Sequence, residues 1–234
     1  MKTLNILSGG AAQGLVMSLA PAFKAKTGLD IDGEFGAVGA MAERLLTGRP
    51  ADLLILTEAL IATLAKERLA ATTSIVNVGT VETALAVRAR DLTVSAPDQA
   101  SLRKVFLAAD AIYVPDTKAS TAGLHVAKVF ALLGIACDVE SRLKIYPNGA
   151  TAMRHLAESP AVRPIGCPQS TEIIFTQRVT LSGVLPPGCE LATMYTAAVA
   201  TDAIRADEAQ LLIDLLTAAE HRELRQRAGF LEPT

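Results

Sequence analysis

The run Asp52-Leu53-Leu54-Ile55-Leu56-Thr57 limits the fold more than any other stretch of this chain. It is apolar at almost every position, so it offers water no polar face. A strand of that kind needs cover on both sides, and a parallel sheet flanked by helices supplies it. The neighbouring sequence agrees. Leu4–Ser8 reads as a short strand followed by Gly9-Gly10, and Leu15, Val16, Leu19 and Phe23 then recur at helix spacing. Pro21 inside that run predicts a kink or a late helix turn, and Gly28 predicts its end. Leu29–Gly33 reads as a second strand, Gly36–Gly39 as a turn, Ala40–Leu46 as a helix and Glu58–Arg68 as another. This β-α-β-α-β order predicts a parallel sheet with helices on both faces.

The pattern changes at Val78–Arg88, where Val81, Ala84, Leu85, Ala86 and Val87 form an apolar segment without helix period. It reads as a strand crossing into a second lobe. That lobe has alternating units of its own: strand Ala111–Val114, helix Ala122–Leu133 closed by Gly134, and the Asn148-Gly149 turn opening helix Ala150–Glu158. Strand Val162–Gly166, short helix Gln169–Phe175 and strand Val179–Leu185 follow. Leu191–Val199 reads as a second crossing strand, after which helices Ala206–Ala218 and Ala219–Ala228 return to the first lobe. The expected organisation is 1–82 plus 196–234 for one lobe and 83–195 for the other, with a ligand cleft between them. No internal sequence repeat and no low-complexity tract is visible.

Composition narrows the function. The chain has 234 residues, 50% of them hydrophobic and 20% charged, which suits a packed α/β protein rather than a disordered one. No apolar run approaches the ~20 residues that span a bilayer, so membrane insertion is not expected. Net charge is −2 and the cations are dispersed, which argues against nucleic acid as a partner. With no Trp and 4% aromatics, a sugar site built on stacked rings is poorly supplied. Cys137, Cys167 and Cys189 match no zinc spacing and read as reduced thiols, and no two histidines have ligand spacing. Neither a metal nor a cofactor is expected. Met1-Lys2-Thr3 runs straight into the first strand, leaving no room for a secretory leader. The expectation is a cytoplasmic protein if residue 1 is the native start, and a periplasmic one if a leader has been removed.

Several segments, in order, carry a family resemblance. Ala20-Pro21-Ala22-Phe23-Lys24-Ala25-Lys26-Thr27-Gly28-Leu29-Asp30-Ile31 is similar to a segment shared by extracellular solute-binding proteins of the type II periplasmic fold. Phe35-Gly36-Ala37-Val38-Gly39-Ala40-Met41-Ala42-Glu43-Arg44-Leu45, followed by Pro50-Ala51-Asp52-Leu53-Leu54-Ile55, resembles the molybdate-binding branch more narrowly. Ala122-Gly123 opening a helix, Tyr195 in the returning strand and the closing Arg227-Ala228-Gly229-Phe230 fit as well. The resemblance spans the chain. It implies a two-lobed fold, each lobe a mostly parallel sheet flanked by helices, closing on a small solute. It also implies a partner, the membrane component of an ABC-type transporter.

The candidate ligand residues sit at strand-to-helix turns. Ser8-Gly9-Gly10-Ala11 can bring backbone N–H groups and the positive end of a helix to an anion, with the Ser8 hydroxyl as a further donor. A tight turn with a helix cap is the plainer reading of the same residues. The glycine spacing is not the dinucleotide fingerprint. At Ala37-Val38-Gly39 the resembling molybdate binders have serine, whereas Ala37 and Val38 can donate only from the backbone. That departure argues against molybdate, because a missing donor in a dry pocket costs ~1–3 kcal/mol, and it favours a carboxylate on a carbon skeleton. Ser120-Thr121-Ala122 offers a helix start in the second lobe, as a ligand site or as plain capping. Thr57, Asn148, Ser170 and Tyr195 complete the set, Tyr195 being either a ligand contact or a packing residue.

Arg154 and Arg163 could bind a carboxylate through paired hydrogen bonds, but surface solvation is the ordinary role of an arginine. Glu172 and Asp116 lie near predicted loop mouths; either could act as a base, but a solvated loop carboxylate is the plainer reading and the one expected. Two functions follow. The first is a binding module that holds a small anion, an organic carboxylate ahead of molybdate. The second is an isomerase of a small unsaturated di- or tricarboxylate on the same fold, since an aconitate isomerase resembles this branch. The isomerase would work by proton transfer next to a carboxylate, with Tyr195, Glu172 and Ser8 as unranked bases.

Overall fold

A computed structural model describes residues 2–232 of the chain. In chain order the strands and helices are β1 (Thr3–Gly9), α1 (Gln13–Thr27), β2 (Asp30–Gly36), α2 (Val38–Leu46), β3 (Leu53–Thr57), α3 (Glu58–Lys66), β4 (Val76–Glu82) and β5 (Ala84–Arg88). Then come α4 (Gln99–Ala108), β6 (Ala111–Pro115), α5 (Thr121–Leu132), α6 (Ala136–Val139), β7 (Leu143–Tyr146), α7 (Gly149–Ala157), β8 (Pro164–Gly166) and α8 (Ser170–Phe175). The chain closes with β9 (Val179–Val184), β10 (Ala192–Val199), α9 (Ala206–Thr217) and α10 (Arg222–Arg227). These elements divide into two units: Met1–Val81 with Thr193–Thr234, and Glu82–Ala192. Both boundaries fall a little earlier than the sequence suggests. Tyr195 lies in the first unit because β10 pairs with β3 there, Tyr195 opposite Thr57.

Unit 1 is built on a five-stranded sheet of order β2-β1-β3-β10-β4. Strands β1, β2 and β3 are parallel, and β10 enters antiparallel to β3. Leu53, Leu54, Ile55 and Leu56 are fully buried, as an all-apolar central strand requires. Helix α1 buries Leu15, Val16, Leu19 and Phe23 on one face and tolerates Pro21 in its interior. It ends at Gly28, whose left-handed φ of 71° lets the Gly28 N–H reach the Lys24 carbonyl. Leu212, Ile213 and Leu216 of α9, with Phe230, join the same core.

Unit 2 repeats the plan without repeating the sequence. Its sheet order is β7-β6-β8-β5-β9, with β6, β7 and β8 parallel and β5 antiparallel to both neighbours. One core lies around Leu102, Phe106, Ile112, Val126 and Phe130, where the Phe106 and Phe130 rings meet edge to face at 4.9 Å. A second gathers Tyr113, Met153, Leu156 and Ile173 on the α7 side. Arg88 is buried at the end of β5. It pairs with Asp91 and donates to the carbonyls of Ser159, Ala161 and Val162.

The structure corrects several sequence readings. The single crossing segment expected over Val78–Arg88 is two strands in different sheets, broken at Thr83, whose N–H donates to the Leu191 carbonyl. The helix expected from Ala40 begins at Val38, so the turn before it is Ala37 alone. The last helical run is split, with a 3-10 turn at Ala219–His221 before α10. Helices α4 and α6 and strand β7 are not among the elements expected from the sequence. The signal for α4 is present: Asp98 accepts the Ser101 N–H as a cap, and Leu102 and Phe106 follow at helix spacing. Strand β7 is four residues with two exposed, too short to show a period.

Among the described residues no single helix is long and apolar enough to cross a membrane.

Candidate functional site

The sheet of unit 1 brings three candidate turns to one edge. Because β2, β1 and β3 are parallel neighbours, with Gly9 level with Gly36 and Ser8 level with Ile55, their carboxyl ends lie side by side. Each strand runs almost directly into a helix start. Gly9 leads into the 3-10 turn Gly10–Ala12 and then α1, Ala37 starts α2, and Thr57 starts α3. None of these starts has a side-chain capping bond. The leading N–H groups of a helix have no carbonyl within the helix, and they carry the positive end of its dipole. Unit 1 therefore presents main-chain donors at adjacent turns with no side-chain acceptor of their own.

Three expected ligand residues come together here. A Cβ added to Gly9 would lie 2.7 Å from Tyr195 Cε1 and 2.8 Å from Val38 Cγ1, so ring and methyl close directly over the glycine. Only a residue without a side chain permits that approach. Tyr195 is buried, its ring edge-on to Phe230 at a centroid distance of 6.4 Å. The Ser8 hydroxyl donates to the Gly9 carbonyl at 2.9 Å, and the side chain is fully buried. It thus fixes the Gly9 backbone and does not cap the helix. Gly10, Ala11, Ala37 and Val38 are also buried, whereas Gly39 and Thr57 are partly open.

In unit 2 the equivalent helix starts are capped. Ser120 Oγ accepts the Gly123 N–H at 2.9 Å ahead of α5, and Asn148 Oδ1 accepts the Thr151 N–H at 2.8 Å ahead of α7. Thr121 and Ala122 occupy the first turn of α5, and Ser170 opens α8 and is buried. The capping role read for Ser120 is realised.

Glu172 overturns the expectation of a solvated carboxylate. It is 5% exposed. One oxygen accepts the N–H of Gly149 at 3.0 Å and of Ala150 at 3.3 Å, and the other accepts the Gln169 N–H at 3.3 Å. Burial pushes its carboxyl up to about 7, working against the N–H groups of Gln169, Ala150 and Gly149, which favour the charged form. The sequence does not reveal this burial, because Glu172 follows a helix start by three residues, the position of a carboxylate that reaches back as a cap, and no sequence pattern announces Gly149 as its partner. A Cβ on Gly149 would fall 1.9 Å from Glu172 Oε2. The same region holds two buried hydroxyl oxygens without a hydrogen-bond partner, Thr171 Oγ1 and Thr83 Oγ1, with Thr83 bridged to Gln169 across the backbone.

The remaining charged candidates serve elsewhere. Arg154 donates to Thr151 Oγ1 and borders a surface hollow of about 290 Å³ with Phe175 and Arg178. Arg163 is exposed and paired with Asp110, whose carboxyl it holds below the usual range through a side-chain hydrogen bond. Asp116 closes its own turn by accepting the N–H groups of Lys118 and Ala119. His125 bonds the Cys189 carbonyl, His155 stacks on Tyr146 at 4.3 Å, and His221 bonds the Leu215 carbonyl. Cys167 and Cys189 are buried free thiols, and Cys137 is exposed. No cluster of metal-ligating side chains occurs among the described residues.

Helix starts at the carboxyl ends of parallel strands, repeated in two sheets, are the frame on which many proteins bind small ligands. The family model for bacterial extracellular solute-binding proteins matches residues 4–231. The chain belongs to this family. An aconitate isomerase from Pseudomonas sp. is 21% identical to this solute-binding protein over 97% of the chain and 87% of its own length. The periplasmic molybdate-binding protein of Azotobacter vinelandii superposes with a TM-score of 0.81 at 17% identity, covering 99% of this chain and all of that one. The sulfate-binding protein SubI from Mycobacterium tuberculosis H37Rv gives 0.73 at 18% identity, covering 98% of this chain and 86% of its own. The fold is that of the type II periplasmic binding proteins, as the sequence resemblance implied.

Proposed function

We propose that this solute-binding protein holds a small anion, an organic carboxylate in preference to molybdate. Its donors are the main-chain N–H groups of Gly9, Gly10 and Ala11 and of Val38 and Gly39. Thr57 and Tyr195 contribute from unit 1, and Ser120, Thr121, Ala122, Asn148 and Ser170 from unit 2. The observation that carries this reading is the row of three helix starts in unit 1 without side-chain caps. Donors of that kind stabilise an anion without a formal cation. The preference for a carboxylate rests on Ala37 and Val38, which set apolar carbon where a hydroxyl would grip an oxyanion. The family description, an extracellular solute-binding protein, supports delivery of the anion to the membrane component of an ABC-type transporter.

A second reading is an isomerase of a small unsaturated polycarboxylate. It is favoured by the aconitate isomerase relative and by a buried carboxyl, Glu172, whose affinity for protons lies near neutrality.

One screen tests both. Molybdate, sulfate and a panel of di- and tricarboxylates that includes aconitate are scored for thermal stabilisation. A ligand held at 100 times its Kd adds about 2.7 kcal/mol. Stabilisation by a carboxylate and not by molybdate is expected; stabilisation by molybdate alone overturns the ligand class. Each hit is then followed by proton NMR in heavy water. An unchanged spectrum supports the binder, whereas deuterium uptake or a new isomer establishes the enzyme.

A further inference from the structure

We propose that anion binding by this protein is coupled to the uptake of one proton by Glu172, the form with a protonated carboxyl being the one that binds tightly. The inference rests on the anion-binding reading above and adds its regulation. Its basis is geometric. The Glu172 carboxylate is bonded to the backbone of two of the three turns that carry unit 2 candidates: to Gly149 and Ala150, directly after Asn148, and to Gln169, directly before Ser170. It occupies the amino end of the nine-residue helix α7, the place where an incoming anion would find N–H donors. Gly149 is the residue that allows the carboxylate in, since any Cβ would collide with Glu172 Oε2. The partnerless hydroxyls of Thr171, in the first turn of α8, and of Thr83, bridged to Gln169, leave polar capacity unused beside these turns.

Among the described residues, no cation neutralises Glu172. Helix α8 packs on α7, β9 and β5. On α7, Arg154 is bonded to Thr151 and His155 is stacked on Tyr146; β9 carries no ionisable side chain. On β5, Arg88 is committed to Asp91 and to three carbonyls. Among the described residues, Glu172 forms no ion pair with Lys, Arg or His. A second negative charge arriving at its turns therefore meets an unscreened buried carboxylate. One proton passes from solvent to a Glu172 oxygen, an O–H bond forms, and the repulsion ends. The hold on Gly149, Ala150 and Gln169 weakens at the same time, because a neutral carboxyl accepts less strongly than a carboxylate. The carboxyl's titration near neutrality sets the range in which this operates.

The test uses the whole protein with aconitate, sulfate and molybdate as probes. Affinity is measured by calorimetry at pH 6, 7 and 8 in buffers of differing ionisation enthalpy, and backbone amides are followed by NMR. For a group titrating near 7 in the free protein, Kd weakens by about tenfold from pH 6 to pH 8, with net proton uptake on binding. The Gly149 and Ala150 amides move with the same midpoint, and the bound anion raises that midpoint. Glu172→Gln gives a flat pH profile. Should that variant fail to fold, proton uptake by the native protein decides the matter alone. A probe that perturbs the Val38 and Gly39 amides with no proton uptake overturns the coupling and leaves the anion-binding reading standing. If none of the probes perturbs the amides of either unit, the anion-binding reading falls and the coupling falls with it.

Discussion

The burial of Glu172 has a thermodynamic signature that needs no ligand. Its carboxyl ordinarily titrates at 4.5 and in the folded protein at about 7. The folded state thus binds this proton more tightly than the unfolded chain does. The stabilisation is complete below pH 4.5 and is lost as pH rises through about 7, the reverse of a salt-bridged carboxylate. At roughly 1.4 kcal/mol per pH unit, that interval corresponds to about 3 kcal/mol. The comparison to make is between the native protein and Glu172→Gln by urea unfolding at pH 4.5, 6, 7 and 8. The difference between the two cancels the other titrating groups. Glu172→Gln is expected to gain about 3 kcal/mol on the native protein between pH 4.5 and 8, with most of the change between pH 5 and 7. A difference constant to within ~0.5 kcal/mol, the ordinary scatter of independent substitutions, would refute the reasoning. It would mean that the three N–H groups offset desolvation completely.

Gly9→Ala drives a methyl into Tyr195 and Val38 and is expected to cost ~1–3 kcal/mol in urea melts, with loss of anion binding. Ser120→Ala removes the α5 cap and is expected to cost ~1 kcal/mol, while Ser120→Asp retains most of that stability. Cys137 is exposed and should react at once with a thiol reagent, whereas Cys167 and Cys189, buried and pushed up by desolvation, should react only on unfolding. Prompt labelling of all three would contradict the packing of the unit 2 core.

Period and punctuation made much of this fold legible. The all-apolar Leu53–Leu56, the helix-spaced Leu15, Val16, Leu19 and Phe23, and Gly28 each report a local preference that tertiary packing reinforces. The same is true of Gly9-Gly10, because a glycine pair at a strand end is a local signal. The break at Thr83 was hidden, since Val81, Thr83 and Leu85 can pair equally well in one sheet or two, and only partners distant in sequence decide. The burial of Glu172 was hidden for the same reason. Its partners on α7 lie more than twenty residues upstream, and a glutamate at the third position of a helix looks alike whether it caps in water or in a core.

Unit 1 is assembled from both ends of the chain, while unit 2 is one continuous stretch, and this orders events on the ribosome. Strand β10 fills the place between β3 and β4, yet it emerges only after all of unit 2 has been made. Until then β3, the most apolar strand, is an unpaired sheet edge, the element most prone to join a neighbouring chain. Unit 2 has all its strands within Glu82–Ala192 and is free to fold first. For this protein, a nascent chain stalled before Ala192 is the aggregation hazard, and its solubility depends on how quickly eight residues follow.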